Sequence, residues 1–166
     1  GGEKLGLRGF LVALDRKTGQ ERWRWYVTDA GWEGDFSAST AYGVPLNRDL
    51  DAERAAFARY KDSWRFGGGS VWTTPAVDTA RGLLFIGTGN PAPQMDDATR
   101  PGDNRHSISL VALELATGKL RWAYQQVPHD RWGYDVASPP ALFTLDVDGK
   151  PREVVAQAGK VGWLFI

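Results

Sequence analysis

One eleven-residue pattern occurs twice in the chain. Ala13-Leu14-Asp15-Arg16-Lys17-Thr18-Gly19-Gln20-Glu21-Arg22-Trp23 aligns with Ala112-Leu113-Glu114-Leu115-Ala116-Thr117-Gly118-Lys119-Leu120-Arg121-Trp122. Ala, Thr-Gly and Trp keep their places, and the copies start 99 residues apart (112 minus 13). Apolar residues precede the Thr-Gly turn and a Trp-bearing alternating run follows it, which is how a β-hairpin reads. Between the copies, Pro75-Ala76-Val77-Asp78 and Gly82-Leu83-Leu84-Phe85-Ile86-Gly87 form a further strand-turn-strand unit without the Trp. The interval therefore holds two units of roughly 50 residues, the scale of a four-stranded propeller blade. A lone blade cannot bury both its faces, so a Trp projecting from one sheet can dock on the next.

Short apolar runs elsewhere agree. Residues 10–14, 21–27, 83–86, 108–113, 120–124, 153–156 and 161–166 read as strands. With 20 Gly and 8 Trp, turns and large flat side chains are plentiful, as stacked sheets require. Residues 51–64 are the exception: alanines among charges, with no Gly or Pro, predict a surface helix inserted between strands. Residues 31–48 before it read as a long loop. The expected fold is all-β: a propeller fragment of about three four-stranded blades, carrying tryptophan-docking motifs and one short inserted helix. The chain starts at Gly1 and ends on Trp163-Leu164-Phe165-Ile166, an apolar run like a strand under way. Residues 1–166 are accordingly expected to be one partial propeller domain, incomplete at both ends.

Charge narrows the partners. The 20 basic and 20 acidic side chains cancel, so nothing electrostatic points to nucleic acid or a membrane surface. Cysteine is absent, which removes disulfides, thiolate metal sites and any Cys-x-x-Cys-His haem attachment within this stretch. No apolar run approaches the ~18 residues of a membrane span.

Several segments carry a family resemblance. The Ala-x5-Gly-x3-Trp repeat resembles the tryptophan-docking motif of the eight-bladed quinoprotein (PQQ-dependent) alcohol and sugar dehydrogenases. Gly67-Gly68-Gly69-Ser70-Val71-Trp72 resembles that family's Gly-rich stretch ending in a Trp beneath the quinone. Gly87-Thr88-Gly89-Asn90-Pro91-Ala92-Pro93 resembles its metal-binding loop, followed by Arg100-Pro101-Gly102-Asp103-Asn104. Pro128-His129-Asp130-Arg131-Trp132 leads toward the segment that holds the catalytic aspartate, and Gln157-Ala158-Gly159-Lys160-Val161-Gly162-Trp163 resembles the strand carrying a quinone-contacting Lys or Arg.

The resemblance implies an oxidoreductase that takes hydride from an alcohol or sugar onto pyrroloquinoline quinone, with a calcium or lanthanide ion. It further implies a cytochrome or quinone electron acceptor and a periplasmic location. Carried over residue by residue, Trp72 is the cofactor floor, approached over Gly69, and Ser70 is a carboxylate partner. Asn90 is a metal ligand. Glu3 is another, although Gly2-Glu3-Lys4-Leu5-Gly6-Leu7-Arg8-Gly9 has one residue too many between Glu3 and Arg8. Lys160 stabilises the quinone oxyanion. The family's general base follows the Trp, but Gly133 stands there, and Asp135 lies two residues on. Asp135 then serves as metal ligand, as base, or as both, with Asp130 as a reserve. A further possibility is that the base is lost. His106 and His129 receive no role.

Two other readings stay open: a non-catalytic propeller scaffold or degenerate relative, and a quinone- or metal-binding sensor without turnover. Gly133 favours the scaffold, whereas the site motifs favour the enzyme. Because a central site draws on blades all round a ring, the isolated 166-residue chain is expected to bind PQQ poorly. Equilibrium titration of that isolated chain checks this, and tight binding by a monomer contradicts it.

Overall fold

The computed structural model describes residues 7–166. Among them, nine strands form three antiparallel sheets of two, four and three strands. β1 (Phe10–Leu14) pairs with β2 (Glu21–Tyr26). The central sheet runs β3 (Ala76–Asp78), β4 (Leu83–Gly87), β5 (Ser109–Glu114), β6 (Leu120–Gln125) in chain order. The third contains β7 (Ala141–Val147), β8 (Lys150–Ala158) and β9 (Leu164–Phe165).

Both copies of the repeat fold alike. Ala13 faces Trp23 across β1 and β2, and Ala112 faces Trp122 across β5 and β6, each pair followed by a register shift. The small Ala leaves room for the indole opposite it. Gly19 and Gly118 close the two turns at φ of 72° and 69°, a left-handed conformation that favours glycine. Asp15 stiffens the first turn by accepting the backbone N–H of Lys17 and Thr18. Because the second copy forms the last two strands of a complete four-stranded sheet, the β1–β2 pair corresponds to the latter half of one blade. β7–β9 form a further, separate sheet.

Docking joins the sheets. Trp23 Nε1 donates to the Leu115 carbonyl at 3.1 Å, and its ring covers Gly118, where a Cβ would collide with it. Leu11, Trp23 and Trp25 pack on Leu84, Ile86, Val111 and Leu113 of the central sheet. The opposite face, with Phe85, Leu110 and Ala112, packs against Val155 of β8. β4 and β5 are thus buried on both sides, which is why their sequences are continuously apolar rather than alternating.

Three elements differ from expectation. The helix α1 spans Leu50–Tyr60 instead of 51–64, with the Asp49 side chain accepting from Ala52 N as its N-cap. A 3-10 turn, Ser63–Phe66, follows it. There, side chains from the 28–32 stretch hold the turn: Trp64 O accepts from Thr28 Oγ1 at 2.8 Å, and Ser63 Oγ accepts from Trp32 Nε1 at 3.2 Å. β7 had no counterpart in the sequence reading, and its partner β8 begins at Lys150, ahead of the expected 153. Of residues 161–166, only Leu164–Phe165 pair as a strand, because residues 159–162 form a turn with Gly162 N donating to Gly159 O.

The 31–48 loop is irregular, as expected, yet firmly held. The Arg48 side chain is buried, 1% exposed, and bridges Glu53 at 2.6 Å and Asp103 at 2.7 Å. Asp103 also accepts Asp35 N, Ser37 N and Ser37 Oγ. The Arg100-Pro101-Gly102-Asp103-Asn104 motif is therefore a clamp for the loop and the helix.

Gly118→Ala in the full-length protein is expected to cost about 1–2 kcal/mol through its left-handed backbone alone, with the Trp23 collision added. In a Trp23→Ala background the added part disappears. Urea denaturation of the four species measures this, and equal costs in both backgrounds would show that the ring is not seated on the turn.

Candidate functional site

Three segments run side by side through backbone hydrogen bonds. Gly69 N donates to Asn90 O at 2.9 Å, Gly89 N to Ser70 O at 2.8 Å, and Ala92 N to Gly67 O at 2.9 Å. Val136 N donates to Thr88 O at 3.1 Å, bringing in the 133–136 segment. Glycine makes this approach possible. A Cβ at 67 would meet the Trp32 ring, at 68 the Ala92 Cβ, and at 69 the Val27 side chain. The Gly-rich run is thus required by protein packing before any ligand is considered. Gly89 matters for another reason: a Cβ there would stand 3.0 Å from Ser70 Oγ and 3.1 Å from Asp135 Oδ1, so two oxygens flank it.

Asp135 is the hub. Its Oδ1 accepts the Asn90 N–H at 2.7 Å, and its Oδ2 pairs with Lys160 Nζ at 2.6 Å. Lys160 Nζ also donates to the Gly133 carbonyl at 3.2 Å. The Asp135 side chain is 14% exposed and that of Lys160 48%. Such a half-exposed pair adds only ~0–1 kcal/mol to stability, so its interest is positional. Asn90 turns its Nδ2 onto the Pro91 carbonyl at 2.8 Å, which leaves Oδ1 as a free acceptor among the described residues.

Of the residues singled out in the sequence, the fold gathers Gly69, Ser70, Asn90, Asp135 and Lys160. Trp72 follows Ser70 closely, with 56% of its surface open. Val71 between them packs into the core. Glu3 lies outside the described residues. Arg8, from the same motif, donates to Thr28 O through Nε and sits over the rings of Tyr26 and Trp64, 4.0 and 4.7 Å from their centroids.

Asp130 is a structural carboxylate. It is fully buried and accepts the backbone N–H groups of Trp132, Gly133 and Tyr134. Burial pushes its carboxyl above the usual range, against the downward pull of those three amides. Arg100 is also fully buried and donates to the carbonyls of Pro93, Gln94 and Asp130. Burial lowers its pKa to about 10, so it stays cationic at neutral pH. His129 is buried with Nδ1 against Gly102 O at 2.6 Å and Nε2 against Asp97 Oδ2 at 2.9 Å. Sequence reading passed over Gln94, whose carboxamide abuts Gly133. Nothing in the local pattern flags it, because the contact is made only by the fold.

Among the described residues, no group of three or more His, Asp or Glu side chains is placed to hold a metal. The donors at hand are the Asp135 carboxylate, the free Asn90 Oδ1 and the Ser70 hydroxyl. An all-oxygen set of this kind suits a hard cation such as calcium or a lanthanide rather than a soft one. The open Trp72 indole offers a flat face for stacking, and Lys160 offers a cation to an anionic ligand. The residues present therefore fit a planar anionic quinone with a hard metal ion.

The PQQ family model described as "Glucose/ethanol/alcohol dehydrogenase, beta-propeller domain" matches residues 6–166. Quinohemoprotein alcohol dehydrogenase ADH IIB of Pseudomonas putida is 37% identical over 169 residues, covering 100% of this chain and 23% of that protein. Methanol dehydrogenase [cytochrome c] subunit 1 of Methylorubrum extorquens is 33% identical, covering 99% of this chain and 26% of that protein. The crystal structure of quinohemoprotein alcohol dehydrogenase from Comamonas testosteroni superposes with a TM-score of 0.74 at 30% identity, covering 99% of this chain and 24% of that one. The chain spans about a quarter of the length of the curated relatives it matches.

If Asp130 only supports the turn, Asp130→Ala strands three amide donors. It should cost roughly 1–3 kcal/mol in thermal or urea unfolding of the full-length protein. Unaltered stability would return Asp130 to the list of functional candidates.

Proposed function

Because the chain belongs to the PQQ-dependent glucose/ethanol/alcohol dehydrogenase β-propeller family, we propose that the protein of which it is part oxidises an alcohol or sugar hydroxyl. Its cofactors are PQQ and a calcium or lanthanide ion. Electrons leave to a cytochrome or quinone acceptor, and the protein works in the periplasm. No helix among the described residues is long and apolar enough to cross a membrane.

One observation carries this reading: Asp135 joins Asn90 and Lys160 in a single hydrogen-bonded group beside the Gly69–Ser70 backbone. When bound, the quinone supplies a hydride acceptor and the metal a Lewis acid. The chain's own residues do the rest. Asn90 and Asp135 offer oxygens to the metal, Trp72 offers the stacking face, and Lys160 offers positive charge to a developing oxyanion. Asp135 Oδ2 is the atom that takes the substrate hydroxyl proton, with Lys160 Nζ 2.6 Å away to hold the carboxylate in place. Gly133 has no side chain and Asp130 is occupied by amides, so Asp135 is the carboxylate left for the task. That same scarcity supports the rival reading, a degenerate propeller that has given up catalysis.

The full-length protein, loaded with PQQ and calcium or lanthanum, should oxidise alcohols or sugars in a dye-linked assay. Asp135→Ala is expected to lower kcat by about 10²–10⁴-fold. Full activity in that variant removes Asp135 from the mechanism. A wild-type protein that binds PQQ without any turnover establishes the degenerate reading.

A further inference from the structure

Gly133 is buried and adopts a φ of 77°. A Cβ at this position would run into Gln94 Nε2, with Gln94 Cδ 3.3 Å away. The Gln94 carboxamide therefore fills the space that a side chain at 133 would claim. Its mounting is rigid. Arg100 Nη2 donates to Gln94 O at 3.0 Å and to Asp130 O at 2.7 Å, so one buried guanidinium ties the backbone at 94 to the turn that carries Gly133. The Gly133 carbonyl in turn accepts from Lys160, the partner of Asp135. The carboxamide thus adjoins the turn that seats the Asp135–Lys160 pair. Gln94 is half-buried.

We propose that Gln94 is a substrate-positioning residue of this site, an inference that rests on the alcohol-oxidising reading above. A carboxamide both donates and accepts while carrying no charge. Nε2–H donates to the substrate hydroxyl oxygen, which leaves the hydroxyl proton free for Asp135. Being neutral, the group does this without competing for the Asp135 or Lys160 charge.

The test uses the PQQ-loaded full-length protein. Gln94→Met keeps the bulk of the side chain and removes its hydrogen bonds. It should lower kcat/KM for a primary alcohol about three- to tenfold, mostly through KM, at unchanged PQQ absorbance per protein. A second measurement reads the contact without turnover. Gly133→Ala should lower Tm more in the presence of Gln94 than in a Gln94→Ala background. Unchanged kcat/KM in Gln94→Met, or strict additivity of the two Tm shifts, overturns the proposal and leaves the enzymatic reading intact. A wild-type protein that never oxidises an alcohol overturns both.

Discussion

The structure depends on covering both faces of the β4–β5 strands. An antiparallel sheet with apolar residues on both sides is unstable until neighbours lie against each side. Here Trp23 and Trp25 close one side over Leu84, Ile86, Val111 and Leu113, while Val155 closes the other over Phe85, Leu110 and Ala112. The Trp23 hydrogen bond to Leu115 fixes where the first sheet sits on the second. A hydrophobic contact alone would let the sheets slide, since it has no direction; one indole N–H aimed at one carbonyl gives the packing a register. Glycine at 118 is part of the same contact, because the turn's left-handed backbone and the indole's footprint coincide there.

A second layer of order comes from buried charge. Irregular segments carry backbone polar groups that need partners, and this fold supplies them with few side chains. Asp103 gathers two amides, a hydroxyl and Arg48; Arg100 gathers three carbonyls; Asp130 gathers three amides. Removing one member of such a buried group strands the others, which makes these loops rigid although they contain almost no regular structure. That rigidity holds Gln94 and the 130–135 turn in fixed relation. A site assembled from loops can hold a small hydroxyl compound only if the loops cannot drift.

The candidate site sits where those loops meet. Asn90, Asp135 and Lys160 come from three separate stretches, and each of the three is located by backbone bonds to its neighbours rather than by a strand of its own. Asp97 and Glu53 flank His129 on the outer side of the clamp, where the inserted helix packs. The charged groups thus divide into an outer set around His129 and an inner set around Asp135. Sequence motifs mix the two sets freely: Asp130 and Asp135 are five positions apart, yet one is buried and capped by three backbone amides while the other pairs with the half-exposed Lys160 and the Asn90 amide.

Much of this was legible in the chain. The repeat fixed the hairpins, their turns and the indoles opposite alanine, because period, turn chemistry and residue size are local properties. The motifs also marked Ser70, Asn90, Asp135 and Lys160 as chemistry-bearing residues. β7 escaped notice, since its strand is exposed throughout and its pairing is supplied by β8. The turn that replaces the last part of the expected helix is held by Thr28 and Trp32, which lie far away in sequence. The reason for the glycines at 67–69, the capture of Asp130 and the filling of Gly133's empty side by Gln94 are likewise decisions of the tertiary structure. The sequence by itself determined which strands form and which residue types are on offer, through short-range sterics and hydrophobic period. Only the folded chain decided which carboxylate is sealed among backbone amides and which pairs with a lysine, because a carboxylate's partners depend on which donors surround it.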